Sequence, residues 1–183
     1  MKNGLRRSLI TATAVSGLAT AGSIAWYCAR GGEAVLTLAI SVGTTFYHFA
    51  MRLAAGGAAR WLVPAGTENS PWFCQKPWEP GLYRFLRVKR WKKYMPTYNP
   101  DSFDIRKHTP EEMIHTMCVS EAGHEMIMLL SFLPVLTIPT FGQAGVFWTT
   151  SVLSALLDGS FVILQRYNRP RMVRILEKER KRP

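Results

Sequence analysis

Four apolar stretches divide the 183-residue chain. Each is close to or beyond the roughly 20 predominantly apolar residues that a helix needs to cross a bilayer. The stretches cover residues 8–29, 33–63, 125–140 and 143–165. The short loops RGGE and TFGQA join the first to the second and the third to the fourth. This pattern predicts an all-α, polytopic membrane protein of one domain, with four transmembrane helices in two hairpins.

The first apolar stretch follows Lys2, Arg6 and Arg7, as the apolar part of a secretory signal peptide would. It is longer than the usual apolar part of a signal peptide. The sequence YCARGGEA after it contains no convincing small-x-small cleavage site. We therefore interpret this stretch as an uncleaved membrane anchor.

Charged residues avoid the apolar stretches and gather on one predicted side of the membrane. The net charge is +11, yet residues 126–165 hold a single charged side chain, that of Asp158. Lys and Arg lie at the N-terminus, in residues 84–107 and in the tail 166–183, so that only Arg30 falls in the loops of the opposite side. Since cytoplasmic loops carry an excess of Lys and Arg, both termini and residues 61–120 are predicted to be cytoplasmic.

The polar segment between the hairpins, residues 64–124, interleaves aromatic and basic side chains, as in LYRFLRVKRWKKY. Aromatic side chains that alternate with basic ones are found in proteins whose rings stack on nucleic-acid bases. Beside transmembrane helices the same pattern favours an interfacial element, whose rings lie at headgroup depth and whose cations meet lipid phosphates. A third reading is that some cations bind the phosphates of a soluble donor such as coenzyme A. Lipid headgroups are thus the expected partner, and nucleic acid is not.

A helix is predicted to lead from this segment into the third span. Thr109 is a good N-cap, Pro110 fits the first helical position and Glu112 completes a capping box. Because no helix breaker precedes Pro134, we expect one continuous rod. It carries five titratable side chains through the interface: His115, Cys118, Glu121, His124 and Glu125.

Titratable side chains at membrane depth are candidates for a functional site, because their desolvation is costly. Six candidates for catalysis are Glu121, His124, Glu125, His48, Arg52 and Asp158. Helices packed through small residues would bring them into one polar cluster at the cytoplasmic side of a four-helix bundle. A histidine with a carboxylate one turn away can be held in one tautomer and can accept a proton from a hydroxyl. We therefore expect His124 to be a general base, oriented by Glu121 or Glu125.

Purely structural roles stay open for the same side chains. His48 and Arg52 can simply satisfy Asp158 or a backbone carbonyl. Glu121 and Glu125 can simply meet the neighbouring basic loop. Each of these pairings would explain why the charged residues are present without giving them a catalytic role.

Two other functions also stay open. The first is a membrane hydrolase or metalloenzyme built on Glu121, His124, Glu125 and His48, although their spacing matches neither HExxH nor its inverse. The second is a non-enzymatic membrane subunit or carrier, in which these groups line a polar cavity. Cys118 is a less favoured nucleophile, because buried thiols are usually inert. We expect neither a metal nor a cofactor.

The motif RYNRPR follows the fourth span directly. Its arginines can fork onto phosphates, and Asn168-Arg169-Pro170 is expected to end the helix. The remaining residues then form a basic amphipathic tail on the membrane. The side chains expected to bind substrate are Arg166, Asn168, Arg169 and Arg171 in this motif, and Arg87, Lys89, Arg90 and Trp91 in the interfacial segment.

Several of these stretches together resemble the glycosyl-4,4'-diaponeurosporenoate acyltransferase family. They are WF…K.WE..LYRFLRVKRWKKYMPT, EEMIHTMCVSEAGHE, LSFLP and QRYNRPR, over roughly residues 72–171. The resemblance implies a small integral protein of the bacterial cell membrane that moves a fatty acyl group onto a sugar hydroxyl of a carotenoid glycoside, in carotenoid biosynthesis. It further implies two partners, a fatty acyl thioester as donor and a lipid-borne acceptor. It assigns no catalytic residues.

Overall fold

The computed structural model describes residues 4–96, 104 and 106–181. These residues are mostly helical and contain no β-strand, so the predicted all-α class is confirmed. Four helices are long and apolar enough to cross a membrane, which indicates a membrane protein. Residues 97–103 and 105 of the predicted interfacial segment, and residues 182 and 183 of the predicted tail, lie outside the described part.

The first hairpin consists of helix α1 (Gly4–Arg30) and helix α2 (Glu33–Leu62). Only Gly31 and Gly32 connect the two helices, and both have positive φ angles, 64° and 97°. Glycine adopts such angles without steric cost. The two glycines therefore let the chain reverse within two residues.

Two short helices follow the first hairpin. Helix α3 spans Glu79–Phe85 and helix α4 spans Val88–Trp91, and a 3-10 turn at Lys92–Tyr94 continues from α4. Arg87, with a φ angle of 51°, separates α3 from α4. Glu79, Tyr83 and Val88 are buried against the rest of the protein, whereas the ring of Phe85 is 83% exposed.

Helix α5 (Pro110–Leu130) begins at the predicted capping box. The hydroxyl of Thr109 accepts a hydrogen bond of 3.2 Å from the backbone N–H of Glu112, and the Glu112 carboxylate accepts one of 3.0 Å from the backbone N–H of Thr109. Pro110 occupies the first turn, where its missing N–H costs nothing. This prediction is confirmed.

The predicted rod is continuous through Cys118, Glu121, His124 and Glu125, but α5 ends at Leu130, ahead of the predicted end at Pro134. A 3-10 helix (Leu133–Thr137) and the short helix α6 (Ile138–Phe141) complete the way to the second hairpin turn. Pro134 has no N–H to donate to the carbonyl of Leu130, four residues earlier. The hydroxyl of Tyr47 on α2 donates to that carbonyl instead, at 2.8 Å.

Helix α7 (Ala144–Arg180) passes through Pro170 without a break, so the predicted helix end at Asn168–Pro170 is wrong. An interior proline costs an isolated helix about 3 kcal/mol or more. The side chains of Arg166 and Arg169, in the turn before it, are held by ion pairs with α3 and α5. Tertiary contacts thus maintain a turn that local propensity disfavours.

The long helices pack as a group of three with a fourth outside. Helices α5 and α7 pack along each other, α2 packs against both, and α1 packs along α2. One apolar cluster joins Met51, Ala55 and Ile127 between α2 and α5. The polar side chains of α2, α5 and α7 therefore face one another inside this group.

Candidate functional site

A buried carboxylate lies at the centre of one polar cluster. Glu121 on α5 is fully buried. Its Oε1 accepts a hydrogen bond of 2.5 Å from Nη1 of Arg166, and its Oε2 accepts one from Nη1 of Arg169. Both arginines belong to α7, one turn apart. One carboxylate therefore ties α5 to two successive turns of α7.

A second carboxylate, on α3, completes this cluster. Nε and Nη2 of Arg166 donate to Oε1 of Glu79 at 2.8 and 2.6 Å. The hydroxyl of Tyr83 donates to Oε2 of Glu79 at 2.7 Å. Burial and the Glu79 carboxylate raise the pKa of Tyr83, so the phenol stays protonated as a donor. We call Glu79, Tyr83, Glu121, Arg166 and Arg169 the arginine network.

The arginine network also fastens the chain ahead of α3. Arg166 donates to the backbone carbonyls of Trp72, at 3.1 Å, and Cys74, at 3.4 Å. Arg169 donates to the carbonyl of Phe73 between them and lies over its ring, 5.3 Å from the ring centroid. Planar guanidinium groups suit this role because they have five donors in a fixed geometry.

The two arginines of the network are balanced by two glutamates. Glu79 and Glu121 accept from Arg166, and Glu121 also accepts from Arg169. The donors of both arginines are largely taken up by these carboxylates and by backbone carbonyls. Substrate binding by Arg166 and Arg169 stays a prediction, and the contacts observed are those of a structural clamp.

A histidine and an aspartate form a second polar group, between α5 and α7. Nδ1 of His124 lies 2.8 Å from Oδ1 of Asp158, and the ring stacks on Phe161 with centroids 4.7 Å apart. Arg52 on α2 donates to Oδ2 of Asp158 at 2.5 Å and to the Ser154 hydroxyl at 2.8 Å. The Asp158 side chain is 2% exposed and that of His124 is 24% exposed. The aspartate is thus fixed on both sides, whereas the histidine ring is partly accessible.

The expected partners of His124 need correction. We expected Glu121 or Glu125 to orient the ring, but Glu121 belongs to the arginine network. Glu125 instead accepts a hydrogen bond of 2.9 Å from Nε1 of Trp72. The carboxylate that orients His124 is Asp158.

His48 does not join this pair through a hydrogen bond. Its ring is buried on α2, and neither ring nitrogen has a partner among the described residues. Arg52 contacts His48 only at its backbone carbonyl, to which it donates at 2.9 Å, and not at its ring. Within residues 4–96, 104 and 106–181, no group of three or more His, Cys, Asp or Glu side chains is placed to hold a metal ion. The metalloenzyme alternative, which would use His48 with Glu121, His124 and Glu125, therefore has no assembled set of metal ligands among these described residues.

The other predicted substrate-binding side chains lie around α4 and the C-terminal half of α7. Arg87, Lys89 and Arg90 are exposed. Nζ of Lys92 donates to Asn168 at 3.1 Å, and burial lowers the pKa of Lys92, as do the nearby charges of Arg171 and Lys89.

The ring of Tyr167 joins the two elements. Nζ of Lys92 lies 5.0 Å from the ring centroid, and the guanidinium of Arg171 lies 4.5 Å from it. Arg171 also donates to the Tyr167 hydroxyl at 2.7 Å. The contact of Lys92 holds the interfacial segment against α7, whereas Arg171 stacks on Tyr167 within α7 itself.

Two cavities open along α7. The first, of about 350 Å³, has Glu79, Glu125 and Arg166 in its lining, although aromatic and aliphatic side chains supply most of its surface, and we call it the charged cavity. The second, of about 410 Å³, is lined mainly by apolar side chains of α4, α5 and α7, and we call it the apolar cavity. Ile163 lines both. The cavities are therefore neighbours on one face of α7.

Sequence reasoning missed Glu79 and Tyr83. Glu79 is the only acidic residue within residues 69–96, a segment rich in Lys and Arg. A single carboxylate kept among so many cations, with a tyrosine one turn later, was the available signal. Ser154, which accepts from Arg52, gave no comparable signal in its apolar stretch.

Fold and site together define an all-α protein with four helices long and apolar enough to cross a membrane, a buried arginine network joining α3, α5 and α7, and a histidine–aspartate pair between α5 and α7. The sequence model described as glycosyl-4,4'-diaponeurosporenoate acyltransferase matches residues 69–178. The chain belongs to this family of acyltransferases. The matched region contains both polar groups on α3, α5 and α7, and leaves out only Arg52 of α2. No curated protein and no solved structure gives a significant match.

Proposed function

We propose that this protein is a membrane acyltransferase that moves a fatty acyl group onto a hydroxyl of a glycosylated, carotenoid-type lipid, with His124 as the general base. The observation that carries the proposal is the 2.8 Å contact between Nδ1 of His124 and Oδ1 of the buried Asp158. Family membership supports the acyl chemistry. The linings of the charged and apolar cavities include Glu125 and Gly159, the residues that follow His124 and Asp158 in the sequence, and the two cavities together offer room for a substrate.

The pair suits a base because Asp158 fixes one tautomer of the ring. When Nδ1 carries the proton it donates to Asp158, and Nε2 is left with a free lone pair. Arg52 holds the other carboxylate oxygen at 2.5 Å, which keeps the Asp158 side chain in place. The His124 side chain is 24% exposed, and Nε2 is the atom that would meet the acceptor hydroxyl in this proposal.

The proposed reaction uses a fatty acyl thioester as donor. The acceptor hydroxyl oxygen attacks the carbonyl carbon while Nε2 of His124 takes the hydroxyl proton. The tetrahedral intermediate then collapses, the carbon–sulfur bond breaks, and the leaving thiolate receives the proton from the imidazolium. The products are the acylated lipid and a free thiol, and the histidine returns to its neutral state.

We further propose that the site faces the cytoplasm of a bacterial cell. The basic residues of the termini and of residues 84–107 would then lie on the inner face, as the distribution of Lys and Arg in membrane proteins favours. The exposed cations Arg87, Lys89 and Arg90 would meet anionic headgroups or the phosphates of the donor. A cytoplasmic site would have access to acyl thioesters.

The test is acyl transfer by purified protein in lipid nanodiscs, with palmitoyl-coenzyme A and a glycosylated carotenoid, and with the product measured by mass spectrometry. His124→Ala should lower the rate by about 10²–10⁴-fold, the usual contribution of a general base. Asp158→Asn should also lower it, because an amide favours the wrong tautomer of the ring.

The matched control is Glu111→Gln, in the first turn of the same helix. Glu111 is exposed, makes only a 3.4 Å contact with Arg180 among the described residues and lines neither cavity, so this variant should keep most of the wild-type rate. Circular dichroism and thermal unfolding verify that all variants fold. A folded His124→Ala protein with the wild-type rate would overturn the assignment of His124 as the base.

A further inference from the structure

The apolar cavity has the composition of a hydrocarbon site. Its lining includes Leu86 and Trp91 of the interfacial segment, Met128 of α5 and Leu156 of α7. Two polar groups in the lining are already satisfied, since Nε1 of Trp91 donates to the Leu86 carbonyl at 3.0 Å and the Ser160 hydroxyl donates to the Leu157 carbonyl at 2.6 Å. A ligand in this cavity meets apolar atoms and few free hydrogen-bonding groups. Its volume of about 410 Å³ lies within the range of small-molecule sites, about 300–1,000 Å³.

The apolar cavity leads towards the proposed reaction centre. Ile163, at one end, also lines the charged cavity around Arg166. Gly159, in the lining, directly follows Asp158, and Met128 lies one turn beyond His124 on α5. Residues of α7 from Ala155 to Arg166 thus line a path of about 16 Å, at 1.5 Å per residue.

Gly159 of α7 faces Met128 of α5, and both residues line the apolar cavity. A Cβ atom placed there would lie 3.4 Å from Cε and 3.5 Å from Sδ of Met128, which is ordinary contact distance. Glycine thus leaves space that even a methyl group would take up. A larger side chain at this position would project into the cavity.

We propose that the apolar cavity holds the acyl chain of the donor and that Gly159 determines how long a chain fits. This inference rests on the proposed acyltransferase function and adds the acyl site to it. The chain would enter at the Ile163 end, where the two cavities meet, with its thioester near the charged cavity and its methyl end towards Ala155. Trp91, whose ring is held by its hydrogen bond to Leu86, would cover the chain on the cytoplasmic side.

The test compares palmitoyl- and decanoyl-coenzyme A as donors in nanodiscs. Gly159→Leu should lower the ratio of palmitoyl to decanoyl transfer by about tenfold or more, since each misfitting methylene in an apolar pocket changes the rate about 10–200-fold. The matched control is Gly145→Leu, on the same helix, where a Cβ would meet nothing within 4 Å. It should keep the wild-type ratio. An unchanged ratio in a folded Gly159→Leu protein would overturn the proposal.

A second measurement does not depend on turnover. Palmitoyl-coenzyme A with a photoreactive group at the methyl end should crosslink to the wild-type peptide around Ala155 and Leu156, and much less to that of Gly159→Leu. Unlabelled palmitoyl-coenzyme A should compete with the crosslink, and excess phosphatidylcholine should not. Equal competition by phosphatidylcholine would mean that the cavity holds a bilayer lipid chain only, which overturns the proposal. Competed crosslinking without acyl transfer would refute the proposed function but leave the chain site intact.

Discussion

Glu121 is a buried carboxylate shared by two arginines. Because it is buried, breaking its ion pairs lowers the free energy of unfolding more than breaking exposed pairs would. Removing an ion from water is costly, and the cost is recovered only where the remaining lone pairs are satisfied. Both oxygens of Glu121 accept from arginines, and Arg166 reaches on to Glu79. Loss of Glu121 would leave Arg169 buried without a carboxylate among the described residues.

Glu121→Ala should therefore destabilise the protein strongly, by about 3–5 kcal/mol in the free energy of unfolding, as for other broken buried ion pairs. The matched control on the same helix is Glu125→Ala, which removes one hydrogen bond to Trp72 and should cost about 0.5–1.5 kcal/mol. Denaturant or thermal unfolding in detergent micelles measures both. Equal losses in the two variants would contradict a central role for the arginine network.

The candidate residues could be chosen from the sequence, but their partners could not. Asp158 is a charged residue in an apolar stretch, and this contrast identified it as a candidate site residue. The expectation that Glu121 orients His124 came from their spacing on one helix. Which carboxylate reaches the ring depends on how α7 is rotated against α5, and the hydrophobic pattern leaves that rotation undetermined. The rotation that packs α7 brings Asp158 to His124 and leaves Glu121 for Arg166.

At the scale of elements, the close approach of α2 and α5 holds the two polar groups in place. A Cβ atom on Gly123 would lie 3.2 Å from Cβ of Ala59 on α2, so the helices meet through small side chains there. Gly123 lies between Glu121 and His124 on α5. A shift of α5 at this point would therefore move both the arginine network and the histidine–aspartate pair.

Gly123→Leu should push α5 from α2, lowering the free energy of unfolding by about 1–3 kcal/mol, as overpacking does. It should also lower the rate of acyl transfer, because His124 moves relative to Arg52 and Asp158. Gly57→Leu on α2 is the control, since Gly57 is exposed and a Cβ there meets nothing within 4 Å. Thermal unfolding and the nanodisc assay on both variants test this. A Gly123→Leu protein as stable and active as Gly57→Leu would show that the two helices need not approach closely.

Over the whole molecule, the hydrophobic pattern is enough to predict four apolar helices and two hairpins, because span length follows from bilayer thickness. The pattern does not predict the tertiary contacts that override local helix propensity. Pro134 ends α5 early once Tyr47 satisfies the carbonyl of Leu130, whereas Pro170 leaves α7 unbroken because ion pairs hold the preceding turn. The outcome at each proline depends on partners that are distant in sequence.

The proposed orientation of the molecule can be tested with its own cysteines. Cys28, in the last turn of α1, and Cys74, ahead of α3, are exposed, whereas Cys118 is buried. With both termini in the cytoplasm, α1 ends on the outer face, and Cys74 lies on the inner face. A membrane-impermeant maleimide should therefore label Cys28 but not Cys74 in intact cells, and both in detergent, with Cys28→Ser and Cys74→Ser variants to assign the signals. Labelling of Cys74 alone would place the charged cavity on the outer face, away from cytoplasmic acyl thioesters, and would contradict the proposed donor as well as the orientation.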